Sequence, residues 1–409
     1  MLWILLRPET RLLAGLRPLY YRINQLKMQR NSAVRVARSQ QPNLAHNHLY
    51  PQSKKWKGSC HCEEKRSDDE AIFKLNGDCF GQKNALAMTY QKLMPPKRII
   101  IDTDPGVDDS LTFLLALASP EIKLEALTTT QGNVTLDKAT RNALSVLELA
   151  HASHIPVAAG SVVPLVGPLR ASAYIHGESG IGNSKLPELQ TKPVPQHAVD
   201  YLIERVLAEP NEISIFPIAP LTNIAMAIRK ESKFAKAVKE LVIMGGAIQE
   251  AGNMSPLAEF NIFADPHAAH IVFHAGIPIT LIPLDVTHKC LLKQEHIERL
   301  MKIKSPMSCF IKEAVEVYLE FSYTRGFEGS ALHDPLTLAT VIAPELLTLK
   351  EYYVDVDISG GISMGKTFAD IFNVTKKPVN MKVAMNVRGD DFVELFLQRM
   401  EALARSITD

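Results

Sequence analysis

A short acidic segment carries the clearest chemistry in this sequence. The run Asp102–Asp109 reads Asp-Thr-Asp-Pro-Gly-Val-Asp-Asp and places four carboxylates within eight residues. Carboxylates at this density repel one another unless a cation joins them. Asp side chains and backbone carbonyls are the oxygen ligands that Ca²⁺ prefers, and the Pro-Gly pair permits the sharp turn that aims them at one point. The segment therefore predicts a site for a hard divalent cation.

Helix capping is the alternative explanation for these acids. An Asp at a helix N-terminus accepts hydrogen bonds from unpaired amides and interacts favourably with the helix dipole. Capping accounts for one or two of the four carboxylates but not for all of them, so the cation site is the preferred interpretation.

The elements that would position this segment alternate between strand and helix. Arg98–Asp102 is a short apolar run ending in the acids, and a Leu-rich stretch to Ala118 follows the turn, which is typical of strand, loop and helix. Further strands are predicted at Leu124–Thr130, Ile155–Ala159, Glu212–Ile218, Glu240–Met244, Ile279–Leu284, Tyr352–Ile358 and Met381–Asn386, and helices at Leu136–Ala150, Val199–Leu207, Leu221–Ile228, Pro266–His274 and from about Asp391. This alternation favours an α/β fold: a Rossmann-like single domain with a mainly parallel central sheet, helices on both faces and ligands at the carboxyl ends of the strands.

Residues 1–95 differ in character from the remainder. Up to Cys60 they contain eleven Lys or Arg and one acid, Glu9. Three interpretations stay open: a mitochondrial transit peptide, a disordered basic arm, or sequence upstream of a true start at Met88 or Met94. We expect a poorly structured, dispensable extension over 1–95 and one folded domain over 96–409.

Composition narrows the classes of function. The 409 residues have a formal charge of +1 and are 46% hydrophobic, the balance of an ordinary soluble globular protein. That charge gives no field to attract nucleic acid, and no apolar run is long enough to predict a membrane span. The odd count of five cysteines fits reduced thiols better than a disulfide framework. We therefore expect a small-molecule ligand, no nucleic-acid or membrane partner, and a cytoplasmic location, or a mitochondrial one if the extension is a transit peptide.

Several motifs, in order, resemble the nucleoside hydrolase family. After the acidic segment come Gln131–Val134 (QGNV), His176–Gly180 (HGxxG), Ala219–Asn223 (APLTN), Met244–Gly246 (MGG), Gly252-Asn253, Ala258–Asn261 (AEFN) and His333–Pro335 (HDP). The resemblance extends from about Lys97 to the C-terminus. It implies a catalytic domain over 96–409 that hydrolyses the N-glycosidic bond of a free ribonucleoside, a Ca²⁺ cofactor, and assembly as a homodimer or homotetramer.

The resemblance also implies a role for each motif residue. The calcium ligands would be Asp104, Asp109, the backbone carbonyl of Thr222 and Asp334. Asp104 would also be the general base for the attacking water, and Asp102 would support the site from behind. The ribose-binding residues would be Asp108, Asn133, Asn253, Glu259 and Asn261.

Help for the departing base would come from histidine, which donates a proton near neutral pH. His333 is expected to be the acid and His176 to contact the base. Tyr323 and Arg325 are placed in a mobile flap, where they would contact the base or relay a proton. These histidines resemble the inosine–uridine or pyrimidine-preferring branch, and the sequence does not separate the two.

Other interpretations compete with this one. Asn133 and Asn253 each follow a glycine and would serve equally as turn residues, and Thr222-Asn223 would serve as a helix cap. A strand ending in Asp-x-Asp also opens the haloacid dehalogenase phosphatases, but Pro105-Gly106 stands where that family needs a Gly-Thr pair. A non-catalytic protein, or one with an altered nucleoside-like substrate, would keep the same fold.

Overall fold

The computed structural model of this chain describes residues 95–170, 173–184 and 188–407. The predicted extension therefore lies outside the described residues, apart from its last position. Within those residues, no helix combines the length and apolarity that crossing a membrane requires.

The strands of the described residues form one large sheet and two small ones. The large sheet has eight strands in the order β3-β2-β1-β4-β5-β6-β12-β9; β10 pairs with β11, and β7 with β8. The strands are β1 (Lys97–Thr103), β2 (Ile122–Thr129), β3 (Val157–Ala159), β4 (Ser214–Pro217), β5 (Glu240–Met244), β6 (Ile279–Ile282), β7 (Leu291–Leu292), β8 (Ser330–Ala331), β9 (Leu347–Tyr352), β10 (Val354–Val356), β11 (Thr367–Ala369) and β12 (Met381–Val387).

Helices connect these strands. They are α1 (Val107–Leu117), α2 (Leu136–Leu149), α3 (Ala173–His176), α4 (Ala198–Ala208), α5 (Thr222–Lys230), α6 (Phe234–Ala237), α7 (Phe260–Ala264), α8 (Pro266–Phe273), α9 (Leu284–Thr287), α10 (Gln294–Met301), α11 (Pro306–Thr324), α12 (Ala339–Ile342) and α13 (Gly389–Ser406). Short 3-10 helices span Pro335–Leu338 and Pro344–Leu346.

The central strand β1 shows how both faces of the sheet are covered. Successive side chains of a strand point to opposite faces. Ile99 and Ile101 belong to a core cluster that includes residues of α1, α11 and α13, whereas Ile100 belongs to a second cluster with residues of α4, α5 and α8. All three isoleucines are fully buried, so β1 lies between two helical layers. Its apolar run Arg98–Asp102 is explained by this burial on both sides.

The strand order places a ligand crevice beside β1. β1 pairs in parallel with β2 on one side and with β4 on the other, so the chain winds outward in both directions from this point. Ligands of open α/β sheets bind outside the carboxyl ends of the strands at such a reversal. The acidic segment Asp102–Asp109 begins at the carboxyl end of β1.

The predicted fold class is confirmed. The sheet is mainly parallel, with β9 the antiparallel edge strand beside β12, and it belongs to a single α/β domain. The elements that the sequence analysis did not predict include strand β9 and helix α11. Strand β9 has a mostly exposed, partly charged sequence without apolar alternation. Helix α11 extends through Tyr323, in the segment that the sequence analysis interpreted as a mobile flap.

Removing a core side chain of the closing helix should destabilise the domain. Phe392 of α13 is fully buried, and replacing a buried Phe by Ala costs about 3–5 kcal/mol in lost burial and cavity formation. We expect Phe392→Ala to lower the free energy of unfolding by this amount in denaturant titration. Phe372→Ala is the matched control, because Phe372 is 86% exposed and the change there should stay within about 0.5 kcal/mol. Equal effects of the two substitutions would contradict this account of the core.

Candidate active site

A cavity of about 470 Å³ opens among the loops that follow the parallel strands. Its volume lies in the range of small-molecule sites. The predicted site residues that line it are Asp108, Asn133, His176, Asn253, Glu259, Asn261, Arg325, His333 and Asp334. Residues from distant parts of the sequence therefore meet at one place, as the parallel topology requires.

Asp109 combines the capping role with a position at the site. It is the third residue of α1, and its Oδ2 accepts a hydrogen bond of 2.9 Å from the Gly106 amide at the helix start. Its other oxygen accepts from the Thr103 hydroxyl at 2.5 Å, and the Asn133 side-chain amide donates to Oδ2 at 3.1 Å. The carboxylate is thus held in one orientation by two groups of its own segment and by Asn133 of another.

Asp104 is fixed on one oxygen and unpaired on the other. The Asn133 amide donates to its Oδ2 at 2.5 Å, and a Cβ on Gly132 would stand 1.8 Å from that same oxygen. Position 132 therefore needs glycine. Oδ1 of Asp104 is buried and has no hydrogen-bond partner among the described residues. Asp104 and Asp109 do not themselves line the cavity, whereas Asp108 of the same segment does.

A triad of carboxylates lies beside Asp104. Oxygens of Asp108, Asp109 and Asp334 lie within 4.8 Å of one another, and all three residues are buried. Asp334 comes from the segment after β8, far away in sequence, and begins the 3-10 helix Pro335–Leu338. Oδ1 of Asp108, like that of Asp104, has no partner among the described residues.

These buried carboxylates have no positively charged side chain beside them in the described part of the chain. Burial, followed by the charge of Asp109, raises the pKa of Asp108 to about 8, and burial likewise raises the pKa of Asp104 and of Asp334 well above the usual range. Within the described part of the chain, no Lys or Arg forms an ion pair with them. A buried carboxylate is stable in its charged form only when paired or bound to a metal. The donor set, all oxygen and partly unpaired, fits a hard divalent cation.

Asp102 lies behind this cluster and contributes to its rigidity. Its Oδ1 accepts from the Thr128 hydroxyl at 2.6 Å and from the Asn223 amide at 2.9 Å. Asn223 also donates to the Thr129 carbonyl and accepts from Ser161. Burial raises the pKa of Asp102 to about 7. The residue does not line the cavity, in agreement with the supporting position predicted for it.

Thr222 lies outside the lining of the cavity. Its hydroxyl donates to Asp265 Oδ2 at 2.7 Å, and its amide donates to the Pro220 carbonyl. These bonds fix the start of α5 at the carboxyl end of β4. Its backbone carbonyl as a metal ligand remains a prediction.

Glu259 and two asparagines form the opposite wall. Glu259 is buried, and its carboxylate accepts from the amides of Gly246, Asn261 and Ile262 at 2.8–3.1 Å. The Asn261 amide donates to the carbonyls of Ile218 and Met244. Asn253 accepts from the Phe260 amide at 2.9 Å. The amides around Glu259 supply the partners that an acid among apolar neighbours requires.

His176 is a neutral imidazole with a defined tautomer. The Val107 amide at the start of α1 donates to its Nδ1 at 3.2 Å, which requires a lone pair there and leaves the proton on Nε2. Burial lowers its pKa to about 4. Its Nδ1 also lies 4.0 Å from Asp108, but because the ring is neutral we do not count this approach as an ion pair.

His333 lies on the same cavity wall as a second histidine, His288. The ring centroids of the two are 5.6 Å apart, and Nδ1 of His333 forms a 2.7 Å hydrogen bond with the Thr287 hydroxyl. Burial, followed by the neighbouring histidines, holds the pKa of His333 well below its usual value. His288 also approaches Phe327 at 4.9 Å between centroids.

Helix α11 provides the apolar side of the cavity, and its last turn includes Tyr323, in the segment predicted to be a mobile flap. Tyr318, Phe321, Ser322 and Arg325 line the cavity, at the spacing i, i+3, i+4, i+7 of one helix face. Tyr323 is 47% exposed and does not line the cavity, because it lies on the other face of the helix. The structure therefore places Arg325 at the site and Tyr323 away from it.

Sequence reasoning missed two residues that line the cavity, Tyr318 and His288, and Thr287, which forms a hydrogen bond with His333. Tyr318 shares the helical spacing that ends at Arg325. Thr287 and His288 follow the predicted strand Ile279–Leu284, so the rule that ligands gather at carboxyl strand ends would have found them.

Comparison with known proteins agrees with this site. Residues 99–394 match the family model described as inosine-uridine preferring nucleoside hydrolase. A pyrimidine-specific ribonucleoside hydrolase of Photobacterium profundum is 40% identical over 305 residues, covering 74% of this chain and 98% of that protein. An inosine-uridine preferring nucleoside hydrolase of Crithidia fasciculata is 40% identical over 311 residues, covering 75% and 98%.

Solved structures lead to the same family. A purine-preferring ribonucleoside hydrolase from Gardnerella vaginalis superposes with a TM-score of 0.72 at 33% identity, covering 76% of this chain and 100% of that chain. A plant nucleoside hydrolase superposes with a TM-score of 0.72 at 37% identity, covering 75% and 100%. With the family model matching well over half of its length, this chain belongs to the nucleoside hydrolase family.

Proposed function

We propose that this protein hydrolyses the N-glycosidic bond of ribonucleosides to ribose and free base, with Ca²⁺ as its cofactor. The observation that carries the proposal is the set of side chains that line one cavity. They include the buried carboxylates of Asp108 and Asp334, glutamate and asparagine side chains, and histidines with aromatic side chains. This set suits a charged anchor, a polyhydroxylated sugar and a flat base.

The carboxylate side would hold the cation. The proposed ligands are Asp104, Asp109, Asp334 and the Thr222 carbonyl, and Asp108 lies within the same carboxylate triad. When bound, Ca²⁺ would neutralise these acids, orient the ribose hydroxyls and lower the pKa of a coordinated water. The three histidines elsewhere in the cavity would not serve such a hard cation, because it prefers oxygen ligands.

Asp104 is the proposed general base. Its Oδ2 is held by the Asn133 amide, and its buried Oδ1 has no partner among the described residues. A carboxylate with one fixed and one available oxygen is positioned to accept a proton from water in a defined direction. Asn133 would therefore orient the base while its side chain holds Asp109.

The ribose would lie between Asp108 and the wall formed by Glu259, Asn253 and Asn261. A diol needs both acceptors and donors in fixed positions. Backbone amides hold the Glu259 carboxylate, and two carbonyls hold the Asn261 amide, so both side chains are oriented before a ligand arrives. Such preorganisation reduces the entropic cost of placing the sugar.

The departing base would meet His333, with His176 and Arg325 as further contacts. Burial keeps both histidines neutral, so each is a donor through one N–H. In the neutral ring, a proton on Nδ1 of His333 would be donated to the Thr287 hydroxyl oxygen, which leaves a lone pair on Nε2. A proton taken up from solvent on Nε2 would make the imidazolium, which would give that proton to the leaving nitrogen and return to the neutral ring. Thr287 is thus a proposed positioning residue for the acid.

The preference for purine or pyrimidine stays open in this proposal. The relatives and neighbours bear names that include pyrimidine-specific, inosine-uridine preferring and purine-preferring enzymes, so likeness alone does not choose. Homo-oligomeric assembly and a cytoplasmic location remain predictions of the sequence analysis.

The reaction class can be tested directly. We expect the purified protein to release ribose from inosine or uridine, and a Ca²⁺ chelator to abolish release because the carboxylates lose their counter-charge. Reducing-sugar assays with and without chelator, followed by Ca²⁺ readdition, make the measurement. The ratio of inosine to uridine turnover gives the base preference. No release from either nucleoside in the presence of Ca²⁺ would favour a binding role or an altered substrate.

Replacement of the proposed base should remove turnover while preserving the fold. Asp104→Asn keeps the volume and an oxygen for the Asn133 amide but cannot accept a proton. We expect kcat/KM to fall by about 10²–10⁴-fold, the usual contribution of a general base, with an unchanged unfolding midpoint. Asp137→Asn is the matched control, since Asp137 lies exposed in the first turn of α2. Activity near that of the wild type in Asp104→Asn would exclude Asp104 as the base.

The proposed acid can be separated from general binding by the leaving group. A substrate whose leaving group departs without protonation, such as nitrophenyl riboside, bypasses the acid. We expect His333→Ala to reduce turnover of inosine by about 10²–10⁴-fold and turnover of the nitrophenyl substrate far less. The exposed His154→Ala is the control. An equal loss on both substrates would show that His333 acts in some way other than by protonating the base.

A further inference from the structure

A second cluster of ligand-type side chains lies outside the active site, between helix α8 and the small sheet β10–β11. His270 and His274 are one helical turn apart on α8, and their ring centroids are 4.5 Å apart. Asp355 of β10 faces both: its Oδ1 lies 3.0 Å from Nδ1 of His270, and its Oδ2 lies 3.6 Å from Nε2 of His274. The three ligand atoms lie within 4.8 Å of one another.

When the protons of this cluster are assigned to hydrogen bonds, none remains to be donated to Nε2 of a neutral His274. Nδ1 of His274 lies 2.8 Å from the carbonyl of His270, which requires the ring proton on Nδ1. Its Nε2 then faces the Tyr353 hydroxyl at 3.3 Å. That hydroxyl has a single proton, which it donates to Asp355 Oδ2 at 2.7 Å, while its oxygen accepts from Lys377 at 2.8 Å. In a neutral His274, the lone pair of Nε2 therefore faces two oxygens that also act as acceptors, those of Tyr353 and Asp355. A cation between these atoms would relieve this arrangement.

The spacing of these atoms suits a tetrahedral ion. Two ligands at the usual zinc bond lengths of about 2.0–2.1 Å stand about 3.3 Å apart at a tetrahedral angle. His270 Nδ1 lies 3.0 Å from Asp355 Oδ1, and His274 Nε2 lies 3.6 Å from the other oxygen, Oδ2. Each nitrogen therefore has one carboxylate oxygen near that separation, and a single bound ion would need the carboxylate to turn or to bind through both oxygens. Histidines at i and i+4 present two nitrogens on one helix face. Imidazole with one carboxylate is a donor set for Zn²⁺ rather than for Ca²⁺, which prefers oxygen throughout.

The surroundings also resemble those of metal ligands in general. A ligating histidine usually donates its other ring N–H to a carbonyl or carboxylate, which fixes the ring, as His274 does with the His270 carbonyl. The carboxylate is oriented in turn by Tyr353 and by the Val356 amide. The side chains of His270 and His274 are 40% and 36% exposed, so an ion from solvent can reach them.

We propose that His270, His274 and Asp355 form a binding site for Zn²⁺, with water as the fourth ligand, that fastens α8 to the sheet β10–β11. The segment before β11 contacts the loop that runs from β5 toward the cavity residue Glu250, because Lys366 donates to the carbonyls of Ala247 and Ile248. The neighbouring Gly246 amide holds Glu259. A bound ion stabilises the folded state by mass action, and at this place it would stiffen the support of that loop. The site is independent of the proposed hydrolysis.

The competing account is an ion pair without metal. A doubly protonated His274 beside Asp355 would satisfy the same distances, and such a protein would bind no zinc here. Lys377, close to Tyr353, adds positive charge that opposes a second cation, so affinity must come from the three ligands themselves. The two accounts differ in metal stoichiometry, which can be measured without any activity assay.

The test is equilibrium dialysis of the full-length, chelator-treated protein against Zn²⁺, with excess Ca²⁺ present to occupy the oxygen-rich active site. We expect His274→Gln and Asp355→Asn each to bind one Zn²⁺ per chain fewer than the wild type, or to bind it at least about 100-fold more weakly. Tyr353→Phe keeps all three ligands and should weaken binding by about tenfold, as loss of an outer partner does. Zinc held by other groups, including Cys60, His61 and Cys62, would contribute equally to every variant.

Stability provides an independent readout. Zn²⁺ should raise the unfolding temperature of the wild type and of the exposed-surface control His154→Gln, and should not do so for His274→Gln. Co²⁺ in place of Zn²⁺ should give the visible absorption of a four-coordinate site in the first two proteins alone. Zinc bound equally by the wild type, His274→Gln and Asp355→Asn would overturn the proposal, as would a wild type that binds none.

Discussion

The structure is organised around one electrostatic constraint: several carboxylates are buried together near the carboxyl end of β1, and no Lys or Arg among the described residues pairs with them. Burial alone is expensive for a charged acid, and proximity makes it worse, as the raised pKa values of Asp104, Asp108 and Asp334 indicate. Within the described part of the chain, the surrounding groups stabilise single oxygens by hydrogen bonding and leave others without a partner. A bound cation would stabilise this arrangement, and it is also the component that the proposed chemistry uses.

Hydrogen bonds at the carboxyl edge of the sheet hold these carboxylates in fixed orientations. Asp109 is held by Thr103, Gly106 and Asn133, and Asp102 is held by Thr128 and Asn223. Each partner comes from a segment that ends or begins at the same edge of the parallel sheet. If these carboxylates could rotate away from one another, their repulsion would fall and the arrangement of oxygens would be lost. The hydrogen bonds therefore hold the carboxylates close together although their charges repel, and a ligand can bind to this arrangement.

Most of the sheet could be predicted from the sequence, as could the meeting of Glu259, Asn253 and Asn261 at the wall proposed to hold the sugar, because apolar runs with acids or amides at their ends are local signals. Strand Glu240–Met244 agrees with the structure at both ends. Edge strand β9 escaped prediction because its residues are mostly exposed and so lack an apolar pattern. Tyr323 was placed at the site and Tyr318 overlooked, because deciding which face of α11 meets the cavity depends on packing against distant elements. The zinc-type cluster joins residues 85 apart in sequence, a proximity that no local pattern reveals.

The two halves of the cavity are supported by different parts of the fold. The carboxylates and the sugar wall extend from the parallel sheet and its loops, whereas Tyr318, Phe321 and Arg325 extend from one long helix on a single packing face. Substitutions on that helix face can therefore reshape the space for the base without disturbing the strands that align the reacting bond. Residues on this helix face can therefore change during evolution independently of the sheet. This offers a physical reason why proteins that share the same sheet and acidic segment can differ in the heterocycle they accept.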